Sequence, residues 1–409
     1  LANCWPRRIG GRATFDQLTA PLADRRLEPA RSSVKRLTMT NFRCYAFQRL
    51  EPDGASVVLT GPNGAGKTNI LEALSFLAPG RGLRGARLGD VARIPAAHSP
   101  EAESTAVSWG VSAVADTPEG PVDVGVGRDM GSGADRRLVR IDGRSARGIS
   151  ALTEVLSIVW LTPQMDRLFL EGAGGRRRFL DRLVYGLDPA HAERVAAYEH
   201  AMRERARLLR EGGADAAWLA ALEDAMAANG IAVAAARREI TARLNEALAV
   251  PRPFPGAMLS VRGDVEAWLD DGPALAAEDR LRDALAVSRR SDSETGGAGI
   301  GPHRSDLEVH HRASRRPAAL CSTGEQKALL IALVLGGARV QAAARGSLPV
   351  LLLDEVAAHL DGRHRDALFG ELEAVGGQAW YTGTDRSVFE PLLGRARFYA
   401  VDAGVATGC

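Results

Sequence analysis

Gly61-Pro62-Asn63-Gly64-Ala65-Gly66-Lys67-Thr68 is a complete G-x-x-x-x-G-K-T run. Its glycines strip side chains from the backbone, so that successive N–H groups can surround a phosphate. Lys67 adds a point charge for β- and γ-phosphates, and Thr68 offers a hydroxyl to Mg²⁺. Lysine is rare in this chain, which has three (Lys35, Lys67, Lys327), so its presence here reads as a chemical requirement. Two acids make a second candidate. Leu348-Pro349-Val350-Leu351-Leu352-Leu353 is an apolar run that ends in Asp354-Glu355. Acids at the C-terminal end of a buried strand sit where α/β sheets bind ligands. Asp354 is expected to hold Mg²⁺, directly or through water, and Glu355 to orient and polarise an attacking water. Together with Lys67 they are the expected catalytic residues.

A third element is Cys321-Ser322-Thr323-Gly324-Glu325-Gln326-Lys327, which opens an amphipathic helix. It reads as a plain N-cap by Ser322 or Thr323, or as an anion site at a helix N-terminus; the two readings are compatible.

The elements around these residues are legible from pattern. Val34–Met39 and Ser56–Thr60 read as strands, and the residues after Thr68 as a helix, which sets the Gly-rich loop between strand and helix. Residues 104–142 alternate between turn signals and read as an antiparallel meander. From Arg176 to Asn245 the pattern is helical, with breaks at Asp188-Pro189 and Gly212-Gly213. Ser291 to Gly301 is polar and Gly-rich and reads as a mobile loop. A helix from Gly324, a strand over Leu348–Leu353, a helix over Gly362–Glu373 and a final strand near Ala379–Thr382 follow. The expected division is an N-terminal extension over 1–33, disordered and without assigned function; the first part of a nucleotide-binding head over 34–164; an inserted, mostly helical lobe over 165–290; and the rest of the head over 291–409. No sustained heptads occur, so no long coiled coil is expected.

Composition sets the remaining bounds. A net charge of +2 argues against a uniformly basic nucleic-acid coat and leaves room for a local basic face. Arg136, Arg137, Arg140, Arg144 and Arg147 are candidates for such a face. Arg176, Arg177 and Arg178 could meet DNA phosphates or simply form an ion-paired helix start. No apolar run approaches the ~20 residues of a bilayer span. Cys4, Cys44, Cys321 and Cys409 lack metal-ligand spacing and read as free thiols in a cytoplasmic protein.

In their order, the three elements resemble ABC-type ATPases. Ser322-Thr323-Gly324-Glu325-Gln326 looks like their signature motif, and Ala357-Ala358-His359-Leu360-Asp361 like their D-loop. The resemblance implies an α/β, ABC-type P-loop ATPase head whose Mg-ATP is sandwiched between two copies. Ser322, Gly324, Gln326 and Asp361 then join the nucleotide site. Gln164 is the candidate for a Mg²⁺-linking Gln-loop. Further stretches resemble the RecF family: Asn41-Phe42-Arg43-x-Tyr45, Gly80-Arg81-Gly82-Leu83-Arg84, Arg176-Arg177-Arg178-Phe179-Leu180-Asp181 and Gly301-Pro302-His303-Arg304-Ser305-Asp306. That resemblance implies ATP-dependent binding of double-stranded and gapped DNA in recombinational repair, an ATP-dependent homodimer, RecR and RecO as partners, and no membrane. Arg43 is a candidate nucleotide contact on the same ground. One departure stands out: Tyr381-Thr382-Gly383-Thr384-Asp385 lacks the histidine that ABC proteins often carry there. A transport ATPase is the rival class, disfavoured by that missing histidine, the helical insertion and the Asn-Phe-Arg start.

Overall fold

The computed structural model describes residues 30–94, 108–129, 136–146, 148–212, 215–357 and 360–409. The strands are β1 (Ala30–Arg31), β2 (Ser33–Phe42), β3 (Tyr45–Leu50), β4 (Ser56–Thr60), β5 (Gly110–Thr117), β6 (Gly120–Asp129), β7 (Arg136–Ile141), β8 (Arg144–Ser145), β9 (Ile158–Leu161), β10 (Ala257–Arg262), β11 (Asp306–His311), β12 (Ser347–Leu348), β13 (Val350–Leu353), β14 (Ala379–Gly383), β15 (Ala396–Asp402) and β16 (Val405–Gly408). The helices are α1 (Lys67–Ser75), α2 (Ala151–Val155), α3 (Ala173–Tyr185), α4 (His191–Glu211), α5 (Ala216–Ala247), α6 (Asp264–Asp271), α7 (Ala274–Val287), α8 (Arg289–Thr295), α9 (Thr323–Arg345) and α10 (Gly362–Val375).

Two six-stranded sheets carry the main core. One runs β16-β15-β4-β14-β13-β9, parallel except for the β16 edge. The other, β3-β2-β5-β6-β7-β8, is antiparallel throughout. Helix α1 touches β14 of the first sheet and β2 of the second, so the element after the Gly-rich loop lies between them. Phe42, Phe76 and Trp109 meet edge to face around its end, with centroids 5.3–5.8 Å apart. Strand β13 is buried along its length and paired on both sides, as a continuous apolar run requires.

A second, smaller core gathers Tyr198, Met226, Ile231, Val265, Leu281 and Leu285 from α4, α5, α6 and α7. Inside it Arg205 is fully buried, paired to Glu223 at 2.9 Å and Asp292 at 2.7 Å. Between the two cores Asp181 holds the Arg237 guanidinium at 2.8 Å and His191 Nε2 at 2.9 Å. Burial pushes the Asp181 carboxyl up, but the Arg237 charge and the His191 hydrogen bond outweigh it and bring its pKa down to about 2. A carboxyl depressed in the folded state contributes stability above its unfolded value near pH ~4, and that stability is lost as pH falls towards the folded value. Asp181→Ala leaves Arg237 buried without its anion. It is expected to cost ~3–5 kcal/mol, read from the urea midpoint; a loss below ~1 kcal/mol contradicts the pairing.

Several expectations are corrected. Ser291–Gly301 is not a loop throughout: α8 covers its first part, because Asp292 is drawn inside by Arg205 and also accepts the Ser288 hydroxyl and the Gly299 N–H. Of the expected disordered extension, residues 30, 31 and 33 are strand, with Ala30-Arg31 pairing Ser347-Leu348; residues 1–29 lie outside the described residues. Leu348–Leu353 is two strands, since Pro349 has no N–H to continue the ladder. Ala379–Gly383 is not the last strand, because β15 and β16 follow. Helices α5 and α9 are long and apolar enough by composition to cross a bilayer; α9 is instead mostly buried in the main core, and α5 spans both cores.

Candidate nucleotide site

The Gly-rich loop is built by its glycines and by two neighbours. Gly61 has φ +152°, and a Cβ there would lie 2.0 Å from the Val401 carbonyl oxygen. Gly66 has φ +115°, and its Cβ would collide with Cys44 Sγ and Tyr45 Oη, each at 2.7 Å. Both positions therefore exclude any side chain. The buried Tyr45 hydroxyl donates to the Gly66 carbonyl at 3.1 Å, and Gly404 N–H donates to the Ala65 carbonyl at 3.1 Å. The β15–β16 turn thus braces the loop from one side and the β2–β3 turn from the other. Sequence reading gave the last strands no role here; their turn is Ala403-Gly404, both at positive φ, without the Asn-Gly signal that marks such hairpins.

Helix α1 starts at Lys67 with no side-chain cap and no acid in its first turn. The N–H groups of Gly64, Gly66, Lys67 and Thr68 have no hydrogen-bond acceptor among the described residues. Unsatisfied donors converging at a helix N-terminus form an anion site. Pro62 and Asn63 lie on the exposed outer side of the loop with Gly64. Lys67 is folded into the loop, its Nζ donating to the carbonyls of Gly61 (2.7 Å) and Pro62 (2.8 Å). Burial lowers its pKa, while the nearby Glu355 and Asp354 carboxylates act the other way.

Asp354 follows β13 and is nearly buried. Its Oδ1 accepts the Thr68 hydroxyl at 2.9 Å and the Thr382 hydroxyl at 2.7 Å. Glu355, next in the chain, is partly exposed and stands at φ +52°. Its N–H donates to Thr382 Oγ1 at 2.9 Å. The structure therefore brings Lys67, Thr68, Asp354 and Glu355 to one end of the parallel sheet, and adds Thr382, which sequence reading missed. The chemistry of this donor set fits a nucleotide with its divalent cation: free N–H groups and an ammonium for phosphate oxygens, a hydroxyl and a carboxylate for a hard cation.

The remaining expected residues are not joined to this cluster. Gln164 is exposed on a short 3₁₀ turn, Pro163–Arg167, just past β9 at the same sheet end. Ser322 caps α9 in a reciprocal capping box: its hydroxyl and N–H meet Glu325 Oε2 at 2.8 and 2.7 Å. Gly324 is exposed, and a Cβ on it would meet nothing within 4 Å. Among the described residues no hydrogen bond or ion pair links the Ser322–Gly324 turn to the Gly-rich loop. Gln326 is turned inward, its amide donating to the Ala319 and Cys321 carbonyls, so its side chain props the turn and is not presented with Ser322. Asp361 caps α10, accepting the His364 N–H and pairing with its ring, each at 2.8 Å; Ala358 and His359 lie outside the described residues.

Arg43 is anchored to α1. Its guanidinium grips the fully buried Glu72 of α1 through two bonds, at 2.6 and 2.8 Å, and donates to the Asp90 carbonyl at 2.6 Å. Arg84 shares Glu72. The Asn-Phe-Arg stretch therefore positions α1. Arg137 leaves the expected basic face: it donates to the Ala78 and Gly80 carbonyls over the Phe76 ring, and burial pushes its pKa down to about 9. Arg136, Arg140 and Arg144 are exposed; Arg147 lies outside the described residues. Arg176 is ion-paired to Asp306 and Arg177 donates to the Ser305 carbonyl, fixing α3 to β11. His303 is bonded on both ring nitrogens, to Tyr198 and the Ala298 carbonyl.

Known proteins resemble this chain along most of its length. Residues 33–390 match the model of the RecF/RecN/SMC N-terminal domain. The DNA replication and repair protein RecF of Mesorhizobium japonicum is 48% identical over 379 residues, which is 92% of this chain and 98% of that protein. That of Brucella suis is 47% identical over 384 residues, 93% of this chain and 97% of that protein. A solved structure of the recombination mediator protein RecF with ATPrS superposes with a TM-score of 0.79 over 93% of this chain and 99% of that one, at 19% identity, a likeness of fold. The chain belongs to the RecF family, and its fold is an ABC-type P-loop ATPase head, with no long coiled coil among the described residues.

Proposed function

We propose that this protein is an ATP-dependent DNA-binding protein of recombinational repair and replication-gap processing. Its relatives carry the name of DNA replication and repair proteins, and solved structures of the fold are of RecF with ATP or ATPrS in the RecFOR pathway. In this reading Mg-ATP brings two heads together into a clamp on double-stranded DNA near gaps, helping to load the recombinase, and hydrolysis resets the clamp. RecR and RecO are the partners that the family likeness suggests. DNA contact is mainly to phosphates, hence salt-sensitive and nearly sequence-independent.

One observation carries the proposal. The chain holds a phosphate loop with N–H donors that lack acceptors among the described residues and, not bonded to it, a signature turn on which Ser322 and Gly324 are exposed. Each is half of a nucleotide site, and a second copy completes both. Thr68 and Asp354 are the residues that would hold Mg²⁺, which when bound offsets the charge of the β- and γ-phosphates. Lys67 binds and orients the terminal phosphates, and Glu355 holds the attacking water by accepting its proton. Gln164, on the exposed turn after β9, is the candidate link to the same cation.

Ser322→Arg tests the shared site, because it fills the open turn with a bulky cation and leaves the phosphate loop intact. Loss of the cap lowers stability by only ~1 kcal/mol. The variant is expected to bind Mg-ATP with the parental Kd while remaining monomeric in light scattering. Normal ATP-dependent dimerisation of Ser322→Arg contradicts a site shared between copies.

A further inference from the structure

Thr382 lies on β14, the strand between the phosphate-loop strand β4 and the acid strand β13. Its neighbour Tyr381 pairs with Leu353, and Thr382 itself pairs with Leu59. That register sets the threonine beside the first residues past β13. The hydroxyl has one proton to give, and it goes to Asp354 Oδ1 at 2.7 Å. Thr382 Oγ1 in turn accepts the Glu355 N–H at 2.9 Å. Thr382 is 1% exposed, so water does not compete for either bond.

The two bonds act on different problems. Asp354 is a short carboxylate whose outer oxygen is free to face a cation only while its inner oxygen is held. Thr68 also holds that inner oxygen, but its hydroxyl is itself a cation ligand in the proposed reading, which leaves Thr382 as the permanent anchor. Glu355 occupies the left-handed region at φ +52°, which non-glycine residues visit only where surroundings hold them. Among the described residues, the hydrogen bond of its N–H goes to Thr382 alone.

We infer that Thr382 is a positioning residue for ATP hydrolysis, fixing with one hydroxyl both the rotamer of the cation-holding carboxylate and the backbone turn that aims Glu355. The inference rests on the proposed roles of Asp354 and Glu355. Valine at 382 keeps the shape of threonine and removes both bonds; serine keeps both bonds and drops a methyl. Misplacement of a reacting group by ~1 Å costs on the order of 10²-fold in rate.

Thr382→Val is therefore expected to lower kcat by ~100-fold while the Kd for ATP moves less than about threefold. The Mg²⁺ concentration for half-maximal ATP binding, read by calorimetry without turnover, is expected to rise. Thr382→Ser is expected to recover kcat to within about tenfold of the parent. Glu355→Gln runs alongside. If Glu355→Gln hydrolyses ATP at the parental rate, the proposed role of the acid pair fails. If Glu355→Gln is inactive and Thr382→Val keeps parental kcat and Mg²⁺ requirement, the Thr382 inference alone is overturned. A joint loss of ATP affinity, kcat and melting temperature that serine does not restore marks a merely structural threonine and overturns it too. Should the valine variant lose its cooperative melt, Thr382→Cys, a weak donor of similar size, carries the same test with a loss of at least ~10-fold in kcat expected and parental kcat contradicting the inference.

Discussion

Glu355→Gln is expected to retain Mg-ATP and lose hydrolysis by ~10²–10⁴-fold, the range general-base catalysis supplies. The substitution is nearly isosteric and removes only the carboxylate charge. The Thr382 bond to the backbone N–H of residue 355 and the Asp354 anchors do not involve that side chain, so the backbone turn survives. With binding kept and reset blocked, the ATP-bound dimer accumulates on DNA. Single-turnover hydrolysis and dissociation from gapped duplex read the two effects separately. Rapid release of Glu355→Gln from DNA in ATP is the outcome incompatible with a hydrolysis-reset clamp.

Lys67→Ala is expected to weaken ATP binding itself by more than ~100-fold. Hydrogen bonds to charged groups contribute ~1.5–3 kcal/mol each, and in the proposed reading Lys67 serves two phosphates, so ~3–6 kcal/mol is removed. In this structure Nζ already sits on the Gly61 and Pro62 carbonyls, folded into the loop whose N–H groups have no acceptor among the described residues. Asp354 and Glu355 favour its charged form against burial. Equilibrium titration with a fluorescent ATP analogue checks the effect. A Kd within about threefold of the parent contradicts the assignment of Lys67 to the phosphates.

What the sequence shows plainly is what it holds in one stretch. The Gly-rich loop, the apolar run before Asp354-Glu355 and the turn before α9 each carry their strand or helix with them, so type and place were readable together. The missing parts arise where distant segments meet. Thr382 is an ordinary strand threonine until β14 is set between β4 and β13; only that order turns its hydroxyl towards Asp354. The β15–β16 hairpin reaches the loop through Val401 and Gly404, and nothing in a strand's alternation says what its turn will touch. Helix α8 is polar because Asp292 pairs inside with Arg205, which composition reads as loop. Arg43, Arg137 and Gln326 show the same limit. Motif position suggested outward-facing polar groups, whereas Glu72, the Ala78 and Gly80 carbonyls, and the Ala319 and Cys321 carbonyls hold them inside.

Sedimentation velocity of the full chain with gapped duplex DNA, with and without Mg-ATP and across a salt series, tests the central claim most directly. A dimer that forms only with Mg-ATP and appears together with salt-sensitive DNA binding is the predicted result. A chain that binds ATP yet stays monomeric and shows no DNA affinity at any salt concentration would contradict it.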